Sequence, residues 1–264
     1  MTPKDGNPQD LFSIRSKVAV VTGGSRGIGL MIAREYVDAG ARVYISSRKA
    51  DVCDRVAAEL SANGECIAIP ADLSTMAGVE HLAGEVAARE PAVHILVNNA
   101  GAAWGAPMEE FPEEGFDKVW MLNVKGVFFL TVRLLPQLRE AAGPEDPARV
   151  INIGSVDGIR VPDLQNYPYS AAKAGVHMLT RHMAHHLAKD NITVNAIAPG
   201  LFPSKMTKFL FDNVTDPNDI GFIPLGRAGR PDDVAGLAIY LASRAGAYIT
   251  GGVIPVDGGV STHG

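Results

Sequence analysis

The chain has 264 residues, 47% of them hydrophobic and 20% charged, enough for one large α/β domain with a buried core and too few for two comfortable ones. That balance excludes a disordered or fibrous chain, and no apolar run approaches the roughly 20 residues that cross a bilayer. A formal net charge of -5, with no basic block to offset it, argues against a nucleic acid or a membrane as partner.

Residues 1–15 read as a flexible tail without the basic-then-apolar build of a secretion signal, which fits a cytoplasmic protein; residues 16–264 read as a single domain. A first β-branched run, 18–21, feeds a glycine-rich turn and a helical pattern over 29–39. Further short apolar runs at 42–46, 66–70 and 94–97 alternate with helical stretches at 52–62 and 78–89. A loop over 105–115 precedes a long helix at 116–139 and a plain turn at 143–147. Runs at 149–153, 193–198 and 253–256 are separated by helices at 170–189 and 232–242. None of the runs alternates strictly, as is expected of strands buried on both faces. The rhythm predicts a Rossmann-like, doubly wound parallel sheet of about seven strands with helices on both faces. Only 201–224 breaks it, and this segment is a candidate lid over a substrate pocket. Cys53 and Cys66 lack metal-ligand spacing and read as ordinary reduced thiols.

The turn after the first strand is Thr22-Gly23-Gly24-Ser25-Arg26-Gly27-Ile28-Gly29. Glycines there permit a tight turn and close approach of backbone to a pyrophosphate, while the helix N-terminus offers unpaired N–H donors to the anion. A domain that binds a dinucleotide is expected. The second strand ends Ser46-Ser47-Arg48-Lys49, with no carboxylate before Asp51. An acid at that point would repel a ribose 2′-phosphate, whereas Arg26 and Arg48 with the Ser47 hydroxyl suit one, so the expected cofactor is NADP(H). The plain alternative for Arg48 and Lys49 is a solvated helix start.

Tyr169 and Lys173 stand four residues apart, on one face of the expected helix 170–189 and its approach. A positive charge beside a phenol favours the phenolate and brings it toward a useful acid/base range. Ser155 follows the run 149–153 and is placed to hydrogen-bond a carbonyl oxygen.

Together with Asp72, Asn98-Asn99-Ala100-Gly101, Asn123 and Pro199-Gly200, these residues resemble the short-chain dehydrogenase/reductase family, in order and across essentially the whole domain. The stretches 149–156 and 198–207 and the ending 246–259 are most similar to bacterial 3-oxoacyl reductases, the kind tied to rhamnolipid biosynthesis included. The resemblance implies a catalytic domain in which Tyr169 is the general acid for reduction. Lys173 would lower the tyrosine pKa and bond the nicotinamide ribose, Ser155 would polarise the carbonyl, and Asn123 would hold a water leading from Lys173 to solvent. Cofactor contacts would come from Gly23, Ser25, Arg26, Gly27, Ile28 and Gly29, from Ser47 and Arg48, and from Asp72, on the adenine, with Leu73. Asn99, Ala100 and Gly101, the Tyr169–Lys173 pair, and Pro199, Gly200 and Phe202 beside the nicotinamide would complete them. Tyr167 lacks a lysine four residues on, since Ala171 stands there.

Phe202, Met206, Phe209, Leu210, Phe211, Phe222, Trp104 and Met108 offer an apolar wall for an acyl chain, or else simply pack their loops. Lys205 and Lys208 either attract an acidic acyl carrier protein or a coenzyme A phosphate, or are solvated surface. The cluster His177, His182, His185 and His186 lacks acids or cysteines at ligand spacing, and no metal is expected. The expected activity is NADPH-dependent reduction of a 3-oxoacyl thioester. The alternatives are a dehydrogenase of a sugar, polyol or other secondary alcohol, and a non-catalytic nucleotide-binding scaffold. By resemblance alone, a homotetramer is expected.

Overall fold

In the computed structural model, which describes residues 8–204, 207 and 220–262, seven parallel strands form one sheet in the order β3-β2-β1-β4-β5-β6-β7. They are β1 Val18–Thr22, β2 Arg42–Ser46, β3 Glu65–Ala68, β4 Ile95–Asn98, β5 Ala148–Ile153, β6 Ile192–Pro199 and β7 Val253–Val256. Each expected strand is present, with small shifts at its ends.

The helices are α1 Pro8–Leu11, α2 Gly27–Asp38, α3 Ala50–Leu60, α4 Met76–Ala87, α5 Glu113–Trp120, α6 Gly126–Ala141, α7 Tyr167–Leu187 and α8 Pro231–Ala242. Alternate strand residues point to opposite faces, and both faces are dry. Ala19, Val21, Val43 and Ile45 pack under Ile32, Cys53 and Val234 of α2, α3 and α8. Val18, Val20, Leu96 and Val150 pack under Leu82, Leu134 and Met183 of α4, α6 and α7. That two-sided burial is why the strands read as unbroken apolar runs.

Three expectations need correction. The ordered body begins before residue 16: α1 lies inside the expected tail, and Ile14 is fully buried in the core cluster that α2, α3 and α8 share with the sheet. The long helix is not a uniform α-helix, since five residues, Met121–Lys125, form a π-turn between α5 and α6. The continuous helix Glu113–Ala141 is also long and apolar enough by composition to cross a membrane, contrary to the absence of any such run; its scattered Lys118, Lys125 and Arg133 hid that length, and Leu130, Leu134 and Leu138 bury one face on the sheet. Most of the lid-like segment 201–224, with Lys205, Met206, Lys208, Phe209, Leu210 and Phe211, lies outside the described residues.

The chain leaves β1 toward β2 and β3, then returns to place β4 on the other side of β1. At that reversal the loops after β1 and β4 diverge and open a crevice at the carboxyl ends of the strands.

Candidate active site

Thr22 holds the two sides of the crevice together. Its Oγ1 donates to the Val97 carbonyl at 3.2 Å and accepts from the amides of Asn99 (2.9 Å) and Ala100 (3.0 Å). Asn99 Nδ2 donates back to the Thr22 carbonyl at 2.8 Å. Gly23 and Gly27 have φ of 65° and 54°, the left-handed region that glycine tolerates. A Cβ on Gly29 would stand 2.4 Å from the Gly23 carbonyl oxygen, so the turn and α2 touch backbone to backbone.

The resulting cavity, about 410 Å³, is lined by Gly23, Ser25, Arg26, Gly27 and Ile28 of the turn and by Ser47, Arg48 and Lys49 after β2. Leu73, Asn99, Ala100, Gly101, Ser155, Tyr169, Lys173, Pro199, Gly200 and Phe202 complete the expected set. Three expected residues do not line it. Gly29 acts beneath it, as the contact between turn and helix. Asp72 is turned to its own loop, where Oδ1 accepts from the Ser74 amide (3.0 Å) and hydroxyl (2.7 Å), while its neighbours Ala71 and Leu73 face the cavity. Asn123 stands behind the wall. Ser46, Val52, Leu122 and Ile153 also line the cavity, and no motif marks them in the sequence.

The cavity fits a dinucleotide by its own chemistry. The N-terminus of α2 opens into it with Arg26 at the N-cap and no side-chain cap bond, leaving N–H groups for an anion. Among the described residues, Ser46 Oγ is buried without a partner, and Arg26, Arg48 and Lys49 place positive charge nearby with no described carboxylate in the lining. Those features match the adenosine end of a phosphorylated dinucleotide.

At the other end, Ser155 follows β5 and caps a short 3₁₀ turn, Val156–Gly158. Its Oγ accepts the Asp157 amide at 3.1 Å, and the hydroxyl is also a hydrogen-bond partner of the Tyr169 phenol. Lys173 is buried, and its Nζ donates to the Ile153 carbonyl at 2.7 Å and lies 5.4 Å from the Tyr169 ring centre. Burial pushes the Tyr169 phenol up to about 12; the hydrogen bond with Ser155 pulls it down and Asp157 pushes it further up. This is opposite to the expected lowering, because desolvation outweighs a lysine that is engaged elsewhere. Burial likewise pulls Lys173 down to about 8, opposed by Asp157.

Asn123 sits in the π-turn, and its carboxamide is engaged at both ends: Oδ1 accepts the Ala102 amide at 2.9 Å and Nδ2 donates to the Ala102 carbonyl at 2.8 Å. The side chain thus fixes the loop after β4, a use distinct from the water-holding role the resemblance implies. His186 lies against His182 in a tilted contact and against His185 edge to face along α7, and among the described residues no three His, Cys, Asp or Glu side chains group to hold a metal.

A doubly wound sheet with a glycine cradle, and with a serine, a tyrosine and a lysine at the carboxyl ends of its strands, defines a dinucleotide-dependent oxidoreductase. Residues 23–261 match the family described as Enoyl-(Acyl carrier protein) reductase. The chain is 52% identical over 255 residues to the rhamnolipids biosynthesis 3-oxoacyl-[acyl-carrier-protein] reductase of Pseudomonas aeruginosa, covering 94% of this chain and 97% of that one. It is 38% identical over 255 residues to the 3-oxoacyl-[acyl-carrier-protein] reductase of Synechocystis sp., covering 95% and 99%. Among solved structures, the Pseudomonas aeruginosa RhlG/NADP active-site complex superposes with a TM-score of 0.92 at 50% identity, over 96% of this chain and 99% of that one. A gluconate 5-dehydrogenase from Burkholderia cenocepacia in complex with NADP and tartrate superposes with a TM-score of 0.89 at 31% identity, over 98% and 100%. The chain belongs to the short-chain dehydrogenase/reductase family.

Proposed function

We propose that the protein uses NADPH to reduce the keto group of a 3-oxoacyl thioester to the 3-hydroxyacyl product. The observation that carries this reading is the convergence of Ser155, Tyr169 and Lys173 on the cavity that holds the glycine turn. When bound, the dinucleotide supplies a hydride to the carbonyl carbon. Ser155 donates a hydrogen bond from its hydroxyl to the carbonyl oxygen, keeping its own proton, and holds that oxygen facing the phenol. Tyr169 gives its Oη proton to that oxygen as the C=O π pair moves onto it, so the product leaves as a neutral alcohol. Lys173, charged, stabilises the tyrosinate left behind, and Asn123 keeps the loop after β4 in place.

The preference for NADP(H) is supported by Arg26, Ser47, Arg48 and Lys49 on the cavity wall and by the NADP in the RhlG complex. The acyl substrate, carried by an acyl carrier protein or coenzyme A, is supported by the two 3-oxoacyl reductases among the relatives. Exposed apolar side chains also flank the catalytic turn: Met108 on one loop, and Ile159, Val161 and Leu164 on the other. The Ala106 amide donates to the Gln165 carbonyl at 3.2 Å and ties the two loops together.

We read the chain from α1 onward as one catalytic domain. A homotetramer is supported by exposed Phe116, Trp120, Phe128 and Met178 on the long helix and α7. A cytoplasmic setting is supported by the free, buried Cys53 and Cys66. The gluconate 5-dehydrogenase likeness favours a second reading, oxidation of a polyol or sugar acid. Steady-state rates with NADPH and NADH on acetoacetyl and longer 3-oxoacyl thioesters, beside gluconate and a polyol panel, separate the two. The first reading expects turnover of the thioesters with NADPH; brisk polyol oxidation with no thioester turnover overturns it.

A further inference from the structure

Two residues beyond Ser155 stands an acid that no part of the catalytic set uses. Asp157 lies within the Val156–Gly158 turn, and its amide is held by Ser155 Oγ at 3.1 Å. Asn166, at the N-cap of α7, donates from Nδ2 to Asp157 Oδ2 at 3.4 Å. The same Asn166 accepts the Tyr169 amide on its carbonyl at 2.8 Å, so one short chain of contacts runs from the carboxylate to the backbone of the tyrosine. Gly158 brings the turn hard against α7: a Cβ there would lie 2.7 Å from the Lys173 carbonyl carbon and the Ala174 amide nitrogen. The carboxylate is therefore seated between the serine turn and the first turns of α7, the helix that carries both the phenol and the ammonium.

We propose that Asp157 is a positioning residue of the reaction, a fixed negative charge that favours the ammonium of Lys173 and the neutral phenol of Tyr169, the two protonation states that carbonyl reduction uses. A negative charge disfavours a phenolate and favours a cation, so both effects have the same sign for the reductive direction. The charged and titratable groups facing it are few. Arg160 on its own turn draws its carboxyl down, as do Asn166 and Lys173, against the rise that burial imposes. On α7 it meets Tyr169 and Lys173. One turn further, His177 presses on Gly154 and Gly158, held neutral by burial and by Lys173 at about 4, and so adds no charge at working pH.

The proposal rests on the reading of Tyr169 as proton donor, and the experiment separates the two. Asp157→Asn keeps the size of the side chain and its oxygen toward Asn166 while removing the charge. The expected result is that the alkaline limb of kcat/KM for ketone reduction moves to lower pH by about 0.5–1 unit. The acid limb for alcohol oxidation should move the same way. Asp157→Glu, which restores the charge, should return both limbs toward the parent even where kcat stays low. Loss of kcat with unmoved limbs in Asp157→Asn assigns the residue to packing alone and overturns the proposal. If Asp157→Asn fails to keep its circular dichroism, Asp157→Ser carries the same comparison. Tyr169→Phe, measured in parallel, must lose turnover. If it does not, the proton-donor reading fails and this proposal falls with it; if it does and the limbs stay fixed, only this proposal fails.

Discussion

The Tyr169 phenol is hard to ionise in the free protein, kept neutral by burial and Asp157. In the proposed reaction its proton is therefore present when a ketone arrives, and the cost of forming tyrosinate is met only as the carbonyl oxygen takes charge. Tyr169→Phe removes that proton and little else; kcat should fall about 10²–10⁴-fold, while fluorescence titration should show NADPH still bound. Near-normal turnover would remove Tyr169 from the reaction. At the far end of the cavity, Arg48 lines the wall with no carboxylate among the described lining residues, and the proposed function sets it toward a ribose phosphate. Arg48→Asp should weaken NADPH about 10²-fold, the loss of a charge-assisted contact with repulsion added, and NADH far less. Equal weakening of both would mean that Arg48 is a solvated helix start after all. Both residues stood out in the sequence, one for its lysine four residues on and the other for the missing carboxylate after the second strand, and both line the same cavity. Asp157 did not, since a carboxylate after a serine reads as turn chemistry until Asn166 and α7 are seen beside it.

Among the elements, strands were the most legible, because burial on both faces leaves a continuous apolar run bounded by turns. The π-turn at Met121–Lys125 was invisible: one extra residue in a turn leaves a 3.6-residue period almost intact in so short a stretch. Its consequence is functional, since it directs Asn123 onto both backbone groups of Ala102. The strands beneath are joined similarly, with Asn98 Nδ2 donating to Asn152 Oδ1 at 3.0 Å and Asn152 Nδ2 to Thr180 Oγ1 at 2.9 Å, which links β4, β5 and the helix of the catalytic pair. Asn123→Ala removes the partners of the half-buried Ala102 amide and carbonyl, a cost of about 1 kcal/mol. Hydrogen exchange should rise in 99–104 while β1 and β5 stay protected, and NADPH affinity should fall, because Asn99, Ala100 and Gly101 line the cavity. Unchanged exchange in that loop would return Asn123 to the water-holding role alone.

Across the whole molecule, chemistry and anchorage sit at opposite ends of the sheet. The carboxyl ends of the strands carry the cavity; their amino ends carry a buried cationic knot. Arg149, only 1% exposed, donates to the Leu241 carbonyl at 3.0 Å and the Ser243 carbonyl at 2.9 Å, and to Pro147 and Asp146. Lys17 donates to the intervening Ala242 carbonyl at 3.2 Å and to Asp146 at 2.7 Å. Two cations thus satisfy three successive carbonyls at the C-terminus of α8, where the helix dipole also favours positive charge. In sequence Arg149 is merely the first residue of a strand, and nothing local says that it reaches a helix more than ninety residues on. Arg149→Met keeps the bulk and strips the donors, leaving carbonyls unpaired and Asp146 with Lys17 alone. Stability should fall by about 3 kcal/mol, read as a lower denaturant midpoint with NADPH absent. Ser155 is six residues further on, just past the end of β5 and roughly 20 Å away at strand rise, so kcat of the folded fraction should stay within about twofold of the parent. A large loss of kcat at unchanged stability would mean instead that the two ends of the sheet are coupled through β5.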